Sequence, residues 1–230
     1  MPDDETTLFR QSWTLYDALS AKNYMFHREI YDCVAAILKE RHDRGFECLL
    51  DLGCGNARFL APCLLGSPPD RYEGVDLSAA ALDEARDYLK GLAQFTLHQA
   101  DMLEAVETRT EKVDVIFTGY AVHHLSFEAK QRLFHACARV LKPDGLFLMV
   151  DVVREEGQSR EAYLEGYLGT MRTQWTEVQP AHLDEACAHV AAFDFPETLS
   201  DLTQMAKDAG LSKTSLMQRH VQHHLLAFRA

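Results

Sequence analysis

Between Glu47 and Val153, short apolar runs alternate with longer amphipathic stretches, and most runs give way to an acidic or glycine-bearing turn. This rhythm predicts strands over Glu47–Leu52, Tyr72–Asp76, Phe95–Ala100, Val113–Thr118 and Leu146–Val153. Helices are expected between them. Ser78 is placed to cap one that carries Leu82, Ala85 and Leu89 on a single face, and Ser126 another that carries Leu133, Cys137, Val140 and Leu141. Lys142-Pro143-Asp144-Gly145 should end the second of these, because proline cannot continue a helix and Asp-Gly turns tightly. Strands joined through helical segments pair in parallel by right-handed crossovers. The expected fold is therefore α/β, a doubly wound sheet with its ligand site at the carboxyl ends of the strands.

The flanks follow other patterns. From Leu8 to about Arg44 the chain reads as helical, with Leu15, Leu19, Tyr24, Ile30, Val34, Ile37 and Leu38 at near-helical intervals, and Gly45 closes it. After Val153, Glu155 to about Ala192 reads as a polar helical insertion with Tyr163, Tyr167, Met171 and Trp175 along one stripe. A helix over Leu199–Ala209, ended by Gly210, and strand-like runs Thr214–Arg219 and His223–Phe228 finish the chain. The implied organisation is a helical lid (1–45), a ligand-binding core (46–153), an inserted helical lid (154–195) and a closing helix with strands (196–230).

With 47% hydrophobic residues among 230, the chain can bury one sizeable core. Its net charge of −12 argues against a nucleic-acid partner, whose phosphates call for basic patches, and favours a neutral or cationic small molecule. No apolar run suits a bilayer span and the opening Met1-Pro2-Asp3-Asp4-Glu5 is acidic, so a cytoplasmic protein without membrane attachment is expected, as a monomer or homodimer. Cys33, Cys48, Cys54, Cys63, Cys137 and Cys187 lack metal-site or disulfide spacing and read as buried free thiols.

The first strand runs into Asp51-Leu52-Gly53-Cys54-Gly55-Asn56-Ala57-Arg58, where two glycines let backbone approach a ligand. Asp76 ends the next strand, where a carboxylate can accept from both hydroxyls of a ribose. A dinucleotide would favour a third glycine where Arg58 stands, whereas an acidic loop suits a nucleoside that carries cationic groups and no phosphate.

Leu49-Leu50-Asp51-Leu52-Gly53-Cys54-Gly55, Gly74-Val75-Asp76-Leu77-Ser78, Gln99-Ala100-Asp101-Met102, Val113-Asp114-Val115-Ile116-Phe117 through Val122-His123-His124-Leu125, and Arg139-Val140-Leu141-Lys142-Pro143-Asp144-Gly145-Leu146 occur in that order. Together they resemble the motifs of the class I S-adenosylmethionine-dependent methyltransferases, over about Cys48 to Asp151. The resemblance implies a Rossmann-like sheet of seven strands, mostly parallel, with the last antiparallel. It also implies S-adenosylmethionine as cofactor and S-adenosylhomocysteine as product, and contact of Gly53 to Gly55 with the methionine part above Asp51. Asp76 would take the ribose and Asp101 the adenine amino group; Leu77 and Met102 would pack on the ring, and the backbone around Thr118, Gly119 and Tyr120 would border the sulfonium. Each has a plainer reading: Leu77 and Met102 as core, the aspartates as turn or cap residues.

Methyl transfer from a sulfonium needs alignment and exclusion of water more than a dedicated base. His123 is the candidate base, with a structural role as its alternative, and Tyr120 could present its ring face to a cation. The acceptor, a small organic molecule, is expected to meet Tyr16, Tyr24 and His27 from the first lid and Arg154, Tyr163, Tyr167 and Trp175 from the second, although lid-to-body packing also explains the aromatic stripe. No metal is expected: on a strand, His223 and His224 near His220 point to opposite faces. Competing functions are a nicotinamide-dependent oxidoreductase, suggested by the glycine turn, and a cofactor-binding regulator without turnover.

Overall fold

The computed structural model describes residues 22–230, so Tyr16 and the start of the first expected helix lie outside the described residues. Among these residues the strands are β1 (Cys48–Leu52), β2 (Arg71–Asp76), β3 (Phe95–Gln99), β4 (Val113–Gly119), β5 (Leu141–Val152), β6 (Lys213–His220) and β7 (His223–Arg229). They form one seven-stranded sheet of order β3-β2-β1-β4-β5-β7-β6. Strands β1 to β5 pair in parallel, and β7 runs antiparallel to both its neighbours. The expected architecture is thus present, and the order reverses between β1 and β4, where a ligand crevice opens.

The helices are α1 (His27–His42), α2 (Leu60–Leu65), α3 (Ala79–Leu89), α4 (Met102–Thr108), α5 (Phe127–Val140), α6 (Arg160–Gln174), α7 (Pro180–Phe193) and α8 (Leu199–Asp208). Alternate residues of β5 face opposite ways, as strand geometry requires. Leu146, Leu148, Val150 and Val152 join Val34 and Leu38 of α1 and Met171 of α6, whereas Phe147 and Met149 join Phe134 and Cys137 of α5 and Met205 of α8. Two apolar layers therefore sandwich the sheet. Ser78 and Ser126 cap α3 and α5 by accepting from the amides of Ala81 and Ala129.

Two details differ from the expected elements. Helix α5 stops at Val140, and Leu141 already pairs with Val113; a register shift then absorbs the Lys142–Gly145 turn before Leu146 meets Val115. Burial of Leu141 draws it into the sheet, and the turn bulges out because proline lacks a ladder donor. The insertion, in turn, is two helices rather than one continuous stretch. Trp175 closes α6 with ψ of 57°, and Pro180 opens α7 at a first-turn position where its missing amide proton costs nothing.

Candidate active site

A cavity of about 450 Å³ opens at the carboxyl ends of β1, β2 and β4, and Gly53, Asp76, Tyr120, His123, Tyr167 and Asp194 all line it. Its floor is the turn after β1. The amides of Gly53 and Cys54 both donate to the Val75 carbonyl, at 2.9 and 3.0 Å, which folds the turn against β2. At Gly53, φ is +71° and an added Cβ would lie 2.6 Å from the Ala121 Cβ, so only glycine lets the turn pack there.

Two carboxylates hold this end. Asp76 accepts from the Gly55 amide and the Ser78 amide, each at 2.8 Å, so each of its oxygens is aimed by one backbone donor and keeps further acceptor capacity. Asp51 accepts from the Tyr72 hydroxyl at 2.6 Å through Oδ2, while its buried Oδ1 has no hydrogen-bond partner. Burial raises the Asp51 carboxyl to about 7, against the opposing pull of the Tyr72 hydrogen bond and with help from Asp76. An orphaned carboxylate oxygen in a cavity wall suits a cationic ligand group.

Asp101 caps α4, its Oδ1 accepting from the amides of Leu103 and Glu104 at 2.9 Å. The cap reading of this residue is therefore present in the structure, and its other oxygen retains acceptor capacity beside the cavity that Asp101 lines. Leu77 is 42% exposed and lines the same cavity, as does Met102, which lies against the Gly53 turn and also packs against the core layer that holds Leu103 and Val106.

The opposite end is set by the turn after β4. Tyr120 has φ of +55°, a strained conformation for a non-glycine residue. Its amide donates to the Val150 carbonyl and its hydroxyl to the Met25 carbonyl at 2.6 Å, which commits the hydroxyl to the chain itself. Next comes a short 3-10 turn, Val122–His124. The His123 amide donates to Asp151 Oδ2 at 3.0 Å, its ring Nδ1 is bonded to Asp151 Oδ1, and its Nε2 lies 3.6 Å from Asp194 Oδ1. Burial alone would lower the His123 pKa, but Asp151 and Asp194 outweigh it and hold the ring at about 9. Burial raises Asp194 to about 6 even with the His123 charge beside it.

Of the residues expected to meet the acceptor, Tyr167 and Trp175 line the cavity. Tyr16 lies outside the described residues, and the remaining ones are placed elsewhere. Tyr24 stacks on Trp175 with centroids 5.2 Å apart, and its hydroxyl accepts from the Glu177 amide. His27 is fully buried against Phe59, and burial takes its pKa down to about 3. Tyr163 is buried beside Tyr167, and Arg154 donates to the Pro196 carbonyl, which ties the return segment of the inserted helices to the end of β5. His220 stacks on Phe26, and His223 packs against Tyr120 and Tyr167.

Asp194, His189 and Phe193 also line the cavity and were not singled out by the sequence. Their only signal is an acid set among aromatic residues, Phe193-Asp194-Phe195, after a helical stretch. Nothing local links that acid to the His-His pair some seventy residues earlier; the link is made by Phe195, whose amide donates to the His123 carbonyl at 2.8 Å.

Residues 49–145 match the family model described as "Methyltransferase domain". Malonyl-[acyl-carrier protein] O-methyltransferase of Legionella pneumophila is 30% identical over 138 residues, 56% of this chain and 48% of that protein. Phosphoethanolamine N-methyltransferase of Plasmodium falciparum is 27% identical over 95 residues, 41% of this chain and 35% of that protein. The chain spans about half the length of several curated relatives it matches, as with the 48% and 50% coverage of two of them. Among solved structures, human N-acetylserotonin methyltransferase in complex with SAM superposes with a TM-score of 0.65 at 13% identity, covering 100% of this chain and 60% of that one, which bears on the fold.

Proposed function

On the match of residues 49–145 to a methyltransferase domain model, we infer that the protein is a class I methyltransferase that binds S-adenosylmethionine at the Gly53 turn and transfers its methyl group to a heteroatom of a small organic molecule. The observation that carries this reading is the unpartnered, buried Oδ1 of Asp51 in a cavity whose other wall is Asp76. A cationic nucleoside without phosphate satisfies both groups, whereas a pyrophosphate would meet a carboxylate where it needs donors. S-adenosylmethionine supplies an electrophilic methyl on a sulfonium.

The chain's own residues then have distinct tasks. Asp76 accepts from the ribose hydroxyls while its backbone donors keep it aimed. Asp101 takes the adenine amino group through its second oxygen, with Leu77 and Met102 against the ring. Gly53, Gly55 and Asp51 receive the amino-acid end, and Gly119 with the ring of Tyr120 borders the sulfonium. Tyr167, Met171 and Trp175 of α6 and its following turn, with Val190 and Phe193 of α7, form an apolar roof that excludes water from the reacting atoms. His123 and Asp194 form the polar end that receives the acceptor's heteroatom.

Among the described residues no helix is long and apolar enough to cross a membrane, and an apolar roof over a cavity of about 450 Å³ favours a small acceptor over a protein one. Calorimetry with S-adenosylmethionine and S-adenosylhomocysteine, followed by mass spectrometry of products from an acceptor library, tests the reading. Binding of both ligands with a product heavier by one methylene is expected. Absence of binding rejects it, and binding without any product favours a cofactor-sensing regulator.

A further inference from the structure

The turn after β4 and the return from α7 bring a histidine and a carboxylate together at the polar end of the cavity. Asp194 is 3% exposed and lines that cavity, and its Oδ1 has no hydrogen-bond partner. His123 Nε2 faces this oxygen at 3.6 Å, near enough for opposite charges to attract and too far for a hydrogen bond. Across the ring, Nδ1 is bonded to one oxygen of Asp151, whose second oxygen accepts from the His123 amide at 3.0 Å. The imidazole is therefore fixed from behind while its opposite nitrogen looks toward Asp194. A hydroxyl set between the two groups donates to the carboxylate and accepts from the ring, which satisfies the one buried oxygen that the chain leaves unpaired.

Charge decides which of the two takes a proton. Burial would lower the His123 pKa, but Asp151 and Asp194 hold it at about 9, so at neutral pH the ring is already protonated and is no base. Burial raises Asp194 to about 6, with Asp151 adding to the rise and His123, Arg160 and Lys130 opposing it, so at neutral pH its carboxylate is ionised. His124, which also faces Asp194, and His189 are kept neutral by burial. A carboxylate of this strength can draw the proton from a phenolic hydroxyl, which ionises near ~10, but not usefully from an aliphatic alcohol, which is as weak an acid as water at about 15.7. The walls agree with a flat aromatic acceptor, since Tyr167, Trp175 and Phe193 line the same cavity.

We propose that Asp194 is the general base of the reaction and that the acceptor is a phenol, whose hydroxyl sits between Asp194 and a fixed His123 imidazolium. Asp151 is the positioning residue behind that ring. The proposal rests on the methyl-transfer reading and names the substrate class for it. As the phenol O–H bond breaks, its proton passes to Asp194 Oδ1. The oxygen's electron pair forms the new bond to the methyl carbon, and the pair of the broken carbon–sulfur bond stays on sulfur, leaving a neutral thioether. The His123 cation stabilises the negative charge that develops on the phenol oxygen meanwhile.

The test uses the full chain, with para-cresol and naphthol as probes and benzyl alcohol and para-toluidine as controls. Mass spectrometry should find the methyl ethers of the phenols and at least ~100-fold less product from either control. With phenol and cofactor saturating, kcat should rise through about 6 and fall through about 9. Asp194→Asn should lower kcat at least ~100-fold and remove the acidic limb, with S-adenosylmethionine still bound as in wild type, and Asp151→Asn should move the alkaline limb to lower pH. A binding measurement stands apart from turnover. On the chain loaded with S-adenosylhomocysteine, calorimetry should show para-cresol at least ~10-fold tighter than its methyl ether, and Asp194→Ala should abolish that preference. A rate that climbs through about 9 and is indifferent to Asp194→Asn returns the base role to His123 and overturns the proposal. Product from the controls alone, or cofactor binding without product from either phenol, also overturns it. Absence of cofactor binding rejects instead the methyl-transfer reading on which it rests.

Discussion

Asp76 shows how one side chain can serve both the fold and the ligand. Its carboxylate anchors the Gly55 and Ser78 amides, so Asp76→Ala removes two loop anchors together with the proposed ribose acceptor. Affinity for S-adenosylmethionine should fall by roughly 2 to 4 kcal/mol, and Asp76→Asn by less because one acceptor oxygen survives. Calorimetry checks both, and unchanged affinity in the alanine variant refutes the ribose assignment. Asp51 makes a prediction of a different kind. Its pKa near 7 reflects burial first, and a bound cation stabilises only the ionised form. Cofactor affinity should therefore rise as pH is raised from 6 to 8, and Asp51→Asn should bind more weakly with a flatter profile. A wild-type profile that is flat over that range removes Asp51 from the cationic end. The placement of these two acids at the cavity was legible in the sequence because each lies at the carboxyl end of a strand, beside a short, recognisable turn. Asp194 was not, because its role arises only when the return from α7 lays Phe195 against the His123 carbonyl.

The elements that vary most from expectation are those whose ends are set by packing. Strand β5 begins at Leu141 because that side chain gains a buried place beside Val113, a preference invisible in a Pro-Asp-Gly turn signal. The break between α6 and α7 falls between Trp175 and Pro180, where the proline marks a helix start that periodicity alone runs through. The stripe itself was legible. Tyr163, Tyr167, Met171 and Trp175 are all buried, and the helix pair of the proposed lid is fastened at its far end by Arg160, which donates to the carbonyls of Ala191 and Asp194. At the near end Trp175 packs against Tyr24 and Tyr167. Trp175→Ala should cost about 3 to 5 kcal/mol if the lid unfolds with the core. Denaturant melts followed by far-ultraviolet circular dichroism measure this. A wild-type midpoint with weakened acceptor binding would instead mean that the lid opens as a separate unit.

Buried histidines govern how the chain responds to acid. His27 and His223 are held at about 3 and His224 at about 4, in each case mainly because burial disfavours the charged ring. Their unfolded value is about 6.5, so the unfolded chain binds protons that the folded one refuses. The stability they contribute is full above that value and is lost as pH falls from about 6.5 toward 3 or 4. Each contributes a slope of about 1.4 kcal/mol per pH unit inside the window. Asp51 and Asp194 act oppositely, since their raised values make the folded chain bind protons more readily between about 4 and 6 or 7. Burial also lowers His124 and His189 and raises Asp76, so the lowered histidines still outnumber the raised acids; the net slope is positive and the chain should lose stability between about pH 6.5 and 4.5. His123 works at the other end: its folded value of about 9 means that its contribution is complete below about 6.5 and fades as pH rises through 9. Stability should thus peak near neutrality and fall on both sides. The discriminating variant is His223→Phe, which replaces an imidazole among Phe26, Tyr120 and Tyr167 with a ring that cannot titrate. Its urea midpoint should fall less steeply than wild type between pH 6.5 and 4.5, by about one proton's worth of slope. Parallel profiles for the two proteins would show that His223 is protonated as readily in the folded chain as in the unfolded one.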